Sequence, residues 1–315
     1  MVYTITFNPA VDVVISIENL QMGGINRTTS QEIYYGGKGV NVSYVLRNLG
    51  RTSTAWGFLA GHIGSAMEEA LKADGLPCQF IRLAEGETRV NTKLRTSNGE
   101  GPISETAFNA PGPAVDDAAQ EQLFAQLDET QDGDVIIVSG GVPKNVGTDM
   151  YARILQRLEG KDVRVVVDAT GDLLLNAMPY HPFLVKPNDE ELAEIAGCAE
   201  DDYERLLEAA HDLRARGAIN VLVSRGGKGA FLIDEFDQLH EMDALKGTLV
   251  NSVGAGDSTV AGFVHGYLEG VEQGLDANDL YEHAFHMAMA CGAGTAFSQG
   301  LATKETIEGL LAQIG

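Results

Sequence analysis

Cysteine is scarce in this chain and scattered. Only Cys78, Cys198 and Cys291 occur, far apart and in no Cys-x-x-Cys pair. That excludes a disulfide framework and a cysteine-based zinc site, and it suits a reducing compartment. Long apolar runs are missing too: none reaches the roughly 18 residues that a membrane span needs. The opening MVYTITFNPAVD carries neither a basic leader nor a cleavage pattern, so a cytoplasmic protein is the expectation. Positive charge is in short supply, with 22 Lys and Arg against 45 Asp and Glu, for a net charge of -23. Such a surface argues against nucleic acid or an anionic membrane as partner. An anionic substrate would therefore need local cations set against the overall field. No low-complexity tract or internal repeat is visible.

Glycine, by contrast, is abundant, at 37 of 315 residues. Without low complexity, that points to many tight turns joining regular elements. Hydrophobic residues make up 44%, enough for a substantial core. Short β-rich runs occur at 2–7, 53–59, 134–140, 162–170, 182–188 and 219–227. Helical patterns lie between most of them, at 115–129, 148–159 and 203–216, and the chain from Gly256 onward is mostly helical. Near-continuous Val/Ile runs alternating with amphipathic helices predict an α/β fold with a mainly parallel sheet buried on both faces. Ligands in such folds sit beyond the carboxyl ends of the strands. Two segments break the rhythm. Residues 12–35 alternate without a helix, and 88–110 read as two strands around Ser-Asn-Gly-Glu-Gly, a hairpin signal. They form either a small separate sheet or edge strands of the main one.

The stretch NSVGAGDSTVAGF (251–263) carries the chemistry. Gly254 and Gly256, with Ala255 between them, leave backbone N–H groups unshielded at the mouth of an apolar helix. Free donors and the helix dipole together make an anion site. An aspartate beside an anion site would repel the ligand unless it takes a proton from a hydroxyl attacking phosphorus. Asp257 could equally be a helix N-cap; the stretch by itself leaves both open.

The same stretch resembles the C-terminal signature of the ribokinase-type sugar kinases, and GGKGVNVSYVLRNLG (36–50) resembles their N-terminal signature. NPAVD (8–12), SGGVP (139–143), VDATG (167–171), KPNDEE (186–191) and SRGGKGA (224–230) are similar to family motifs in the family order. NPAVD and the segment around 93–113 look most like the branch acting on phosphorylated ketohexoses. The resemblance covers essentially the whole chain, 1–315, as one kinase domain. It implies a ribokinase-like three-layer α/β/α sandwich with a small β-sheet lid at about 12–35 and 88–110, through which many members dimerise.

The resemblance also implies roles. Gly254, Ala255 and Gly256 form the anion hole for the transferring phosphoryl group, and Asp257 is the base. Asp12, Gly36, Gly37, Lys38 and Asn41 meet the sugar, with Ser139 and Gly140. Where many relatives have Ser-Gly-Ser-x-Pro, this chain has Gly141, so one hydroxyl contact is lost. Arg89, Lys93 and Lys38, with Arg27 less securely, are candidates for clamping the substrate's own phosphate. Lys186, Asn188, Ser224, Gly226, Gly227, Gly229 and Gly256 lie along ATP, and His283 near its adenine. Asn188 and Glu191, one helical turn apart, could face a hydrated Mg2+ or simply cap a helix. Asp168 could arrange metal and phosphates or act as a cap. A monovalent cation is a further candidate.

The expected activity is phosphoryl transfer from MgATP to fructose 1-phosphate, giving fructose 1,6-bisphosphate. Tagatose 6-phosphate and fructose 6-phosphate are alternative acceptors. A non-enzymatic sugar-phosphate sensor on the same fold is the alternative of a different class.

Overall fold

The computed structural model describes residues 1–97 and 104–314. The chain opens with strands β1 (Val2–Thr6), β2 (Ala10–Glu18) and β3 (Ser30–Gly36), then helix α1 (Lys38–Asn48). Next come β4 (Thr54–Ala60), α2 (Gly61–Ala73), β5 (Cys78–Leu83), β6 (Arg89–Ser97) and β7 (Ser104–Phe108). The middle of the chain is α3 (Asp117–Asp128), β8 (Val135–Ser139), α4 (Met150–Arg157), β9 (Arg164–Asp168), α5 (Gly171–Leu175) and β10 (Leu184–Val185). Then follow α6 (Asp189–Ala196), α7 (Tyr203–Ala215), β11 (Asn220–Ser224), β12 (Ala230–Ile233) and β13 (Leu239–Met242). Helices α8 (Ala255–Gln273), α9 (Ala277–Ala296) and α10 (Lys304–Leu311) complete it.

Nine strands form the main sheet in the order β13-β12-β11-β10-β9-β8-β1-β4-β5. All neighbours from β11 to β5 are parallel. The strand β8 shows why: Ile136 and Val138 face one layer, Val135 and Ile137 the other, and all four are buried. A strand apolar on both sides needs helices on both sides. One layer packs α3, α4, α6 and α7 on the sheet, and the other packs α1, α8, α9 and α10. Helices α8 and α9 approach closely because Gly262, Gly266 and Gly270 line one face of α8. A Cβ at Gly266 would lie 2.9 Å from the Ala284 Cα.

Strands β12 and β13, which add antiparallel to the β11 edge, were not among the runs read from sequence. The run at 182–188 yields only the short β10, since Pro182 and Pro187 flank it and neither can donate to a ladder. The segments that break the rhythm make a separate sheet, β3-β2-β6-β7. Its two hairpin pairs are antiparallel, but β2 and β6 run parallel. The expected turn at Asn98–Gly101 falls outside the described residues.

Candidate active site

The catalytic end is assembled where β8, β9 and β10 finish. Ser139 pairs in register with Asp168, and Val185 with Val167, so Lys186 emerges beside Asp168. Asp168 is 1% exposed. Its carboxylate takes Lys38 Nζ at 3.1 Å and Lys186 Nζ at 3.3 Å. Burial alone would raise the Asp168 pKa, but Lys186 and Lys38 more than offset it and hold the carboxyl below its usual range. Burial works against the Lys38 charge too, and Asp168 with Asp257 outweighs it, so Lys38 is raised. The sugar-loop lysine and the lysine of KPNDEE thus share one buried anion.

Helix α8 begins above this pair. Gly254 is its N-cap, at φ 82° and ψ 0°, with no side-chain cap. Asp257 lies inside the first turn and is not the cap. A Cβ on Gly256 would sit 3.3 Å from Lys186 Nζ. The Ala255 N–H is taken by the Ser252 carbonyl at 3.2 Å, so the N–H groups of Gly254 and Gly256 and the buried Lys186 ammonium are what offer a seat for a phosphoryl oxygen. Asp257 is 6% exposed and accepts a 2.7 Å hydrogen bond from Asn41 Nδ2. Burial, reinforced by the Asp168 charge, raises its pKa to about 6, against the opposing pull of Asn41, Lys38 and Lys186. A carboxylate so tuned is a far better proton acceptor near neutrality than an exposed one.

Asn41 also lines a cleft of about 370 Å3 with Asp12, Gly36 and Lys93. The lid strands supply one wall. Asp12 Oδ1 accepts from Asn91 Nδ2 at 2.8 Å, which leaves Oδ2 for a ligand. A Cβ at Gly36 would stand 3.5 Å from Asn41 Oδ1 and 3.7 Å from Asp12 Oδ2. Gly37 has φ 124° and no room for a Cβ, which would meet Thr6 Cγ2 at 2.7 Å. Gly140 lies against the Lys38 stem, and Ser139 Oγ is buried with no hydrogen-bond partner. Asn91 was missed by the sequence reading. Its only signal is its register opposite Asp12, which depends on the parallel β2–β6 pairing.

Two of the expected phosphate contacts, Arg89 and Arg27, are not among the residues lining that cleft. Arg89 Nε donates to the Asn8 carbonyl at 3.1 Å and Nη1 to the Ala110 carbonyl at 3.4 Å. It ties the lid to the body and does not line the cleft. Arg27 is exposed in the loop between β2 and β3 and does not line it either. Lys93 does line it.

On the donor side, an isolated bridge joins Asn188 to Ser224, bringing the KPNDEE turn next to SRGGKGA. Space is open at the Cβ positions of Gly226 and Gly227, as close approach of a nucleotide tail requires. Gly229 is glycine for another reason: a Cβ there would collide with the Met242 carbonyl. Asn188 and Glu191 form a reciprocal capping box, with Asn188 Oδ1 accepting from Glu191 N at 2.7 Å and Glu191 Oε2 from Asn188 N at 3.0 Å. The cap reading of this pair is what the geometry displays. No group of three or more His, Cys, Asp or Glu suited to a metal ion occurs among the described residues. His283 lies on α9. It pairs with Glu269 at 2.9 Å, about 18 Å along α8 from Asp257 at 1.5 Å per residue. The antiparallel α8–α9 hairpin carries His283 away from the anion hole and brings Thr295 to it, 2.6 Å from Ser258 Oγ.

A phosphoryl-sized anion seat next to a tuned carboxylate, joined through Asn41 to a cleft under a β lid, fits a carbohydrate kinase of the ribokinase-like fold. Comparison with known proteins bears this out: the chain belongs to the pfkB family carbohydrate kinases, whose family model matches residues 5–307. The 1-phosphofructokinase of Bacillus subtilis (strain 168) is 37% identical, over 100% of this chain and 98% of that protein. The D-tagatose-1-phosphate kinase of Bacillus licheniformis is 31% identical, over 100% and 98%. The crystal structure of phosphofructokinase-2 from Escherichia coli in complex with potassium has a TM-score of 0.88 at 25% identity, covering 99% of this chain and 98% of that one. The chain is an ATP-dependent sugar kinase, and the sensor alternative is set aside.

Proposed function

We propose that this kinase transfers the γ-phosphoryl group of MgATP to the C6 hydroxyl of fructose 1-phosphate, giving fructose 1,6-bisphosphate and ADP. The observation that carries the reading is the Asp257 carboxylate, buried beside the anion seat and joined through Asn41 to the cleft. Asp12 Oδ2, Gly36 and Asn41 orient the sugar hydroxyls. Asp257 takes the proton of the attacking hydroxyl. That oxygen forms the new bond to phosphorus as the bond to the β-phosphate oxygen breaks. The amides of Gly254 and Gly256 and the Lys186 ammonium receive the developing charge, joined by the Ala255 amide once it leaves the Ser252 carbonyl. Ser224, Gly226 and Gly227 border the nucleotide tail. Magnesium, carried by the ATP phosphates, supplies further charge neutralisation; Asn188 and Glu191 are the side chains that would approach its waters. A monovalent cation near the anion hole is part of the proposal, prompted by the potassium complex of the Escherichia coli relative.

A panel of fructose 1-phosphate, fructose 6-phosphate, tagatose 1-phosphate, tagatose 6-phosphate and free fructose, followed by ADP formation, tests this. Fructose 1-phosphate should have the highest kcat/KM. Tagatose 1-phosphate is the second reading, favoured over tagatose 6-phosphate by the Bacillus licheniformis relative. Preferential turnover of free fructose would overturn the assignment.

We propose also that two copies pair through the lid, in the cytoplasm. Ile33, Val13, Thr92 and Phe108 form one row across its four strands. Ile33 is 51% exposed and Phe108 57%. Such a face is better covered by its symmetric equivalent than by water. Sedimentation should give a dimer, and a monomer for the Ile33→Glu/Phe108→Glu double variant.

A further inference from the structure

The N-terminus of α8 is held by two buried hydroxyls that the reaction described above does not use. The Ala302 amide donates to Thr295 Oγ1 at 2.9 Å. Thr295 Oγ1 lies 2.6 Å from Ser258 Oγ, and Ser258 Oγ donates to the Gly254 carbonyl at 2.8 Å. Thr295, Ser258 and Ala302 are all buried. The two ends fix the protons between them. An amide N–H can only donate and a carbonyl only accept, so the Thr295 hydroxyl donates to Ser258 Oγ. The result is a one-way relay from Ala302, just beyond α9, to the N-cap carbonyl of α8. The residues before Ala302, Gln299, Gly300 and Leu301, help to line the cleft.

Stability alone does not call for this relay. Each buried hydroxyl gives up water for its bonds, and an apolar pair of the same shape would do about as well. Direction is what the hydrogen bonds add. The Gly254 carbonyl and the Ala255 N–H belong to one planar trans peptide and point opposite ways. Gly254 has no side-chain cap and a φ of 82°, where a residue without Cβ is free to swing. Ser258 grips its carbonyl twice, through the ordinary helical bond from Ser258 N at 2.9 Å and through Oγ. With that carbonyl turned into the helix, the Ala255 N–H is aimed out of its N-terminus, where the Ser252 carbonyl accepts from it at 3.2 Å. We infer that Thr295 is a positioning residue for phosphoryl transfer, an inference that rests on the anion seat described above. Through Ser258 it keeps the Gly254–Ala255 peptide fixed, so the Ser252 carbonyl is what gives way when the transferring group arrives.

Steady-state kinetics of the full chain test it, with the ketohexose phosphate that the unsubstituted enzyme turns over fastest. The variants are Thr295→Val, Thr295→Ser, Ser258→Ala and the double Thr295→Val/Ser258→Ala. Thr295→Val keeps the shape and removes the hydroxyl. It should lower kcat by about 10- to 100-fold, as a small misplacement beside the reacting group does, with KM for the acceptor and for MgATP within about twofold. Thr295→Ser should recover most of the loss. Ser258→Ala should show the same split between kcat and KM, and it carries the test if Thr295→Val does not fold. The double variant should be no slower than the slower single one, because one relay can be cut only once. Merely structural hydroxyls would lower Tm and leave kcat per folded enzyme unchanged, and that result would overturn the inference. So would losses that multiply in the double variant. Lost activity in Asp257→Asn beside normal kcat in Thr295→Val would overturn this inference and leave the base standing. Full activity in Asp257→Asn would overturn the reading of the site and this inference with it.

Discussion

Asn41 Nδ2 lies 2.7 Å from Asp257 Oδ2, although 216 residues separate them in the chain. The bond joins the sugar loop at the start of α1 to the first turn of α8. It orients the carboxylate without neutralising it, because an amide carries no net charge. Burial can then keep the Asp257 pKa near 6, while the other oxygen remains free for an incoming hydroxyl.

Activity should fall on the acid side as Asp257 takes up its proton. The pKa of about 6 places the midpoint of kcat/KM there, with a slope of one below it. A pH–rate profile corrected for ionisation of the substrate phosphate measures this. A plateau continuing to pH of about 4, the ordinary carboxylate range, would contradict the proposed base.

Asp257→Asn should lower kcat by at least ~100-fold while leaving acceptor affinity largely intact, because Asn41 can donate to the new amide oxygen. The same substitution should stabilise the fold at pH 8. Asp257 has a raised folded pKa, so the native chain holds its proton more tightly than the unfolded chain does. That stability is present below pH 3.8 and lost as pH rises to about 6, an effect of up to about 3 kcal/mol. A higher Tm with lost activity is the expected pair of readings.

Asp168→Asn removes a negative charge that raises the Asp257 pKa and frees Lys38 and Lys186 to lower it further. Both effects have the same sign. The acid limb of the profile should move to lower pH, alongside a reduced kcat. An unmoved limb would mean that Asp168 acts only by holding the lysines in place.

Gly256→Ala and Gly254→Ala should fail differently. At Gly256 a methyl group would press on Lys186 Nζ at 3.3 Å and shield the anion seat, so kcat should drop by about 10- to 100-fold with little change in Tm. At Gly254, φ is 82° and the methyl would meet Leu301 Cδ2 at 2.8 Å. That variant should lose about 1–3 kcal/mol of stability, read as a lowered Tm.

His283→Ala should leave the KM for MgATP unchanged. It breaks only the half-exposed contact with Glu269 at 2.9 Å, remote from α8's first turn, so the stability cost should be under about 1 kcal/mol. A severalfold rise in KM would restore His283 to the nucleotide site.

Much of this protein was written in its sequence, because the information was local. Valine-rich runs such as 135–138 specify buried parallel strands by themselves. The alternation in 12–35 and 88–110 marks a sheet that never enters that core. Gly-Ala-Gly-Asp before an apolar helix announces unshielded amides and a neighbouring carboxylate, whatever surrounds them. Other features required the folded chain. That Asp257 does not cap its helix depended on Gly254 taking the N-cap. That Arg89 donates to the Asn8 and Ala110 carbonyls could not be read from its charge. Asp168 as shared anion of Lys38 and Lys186, and Asn91 as partner of Asp12, arise from strand register. That His283 meets Glu269, far along α8 from Asp257, follows from the reversal of direction at the α8–α9 hairpin. A sequence fixes backbone preference and side-chain chemistry residue by residue. Which charges meet, and how far burial shifts them, is settled only when strands far apart in the chain align and exclude water.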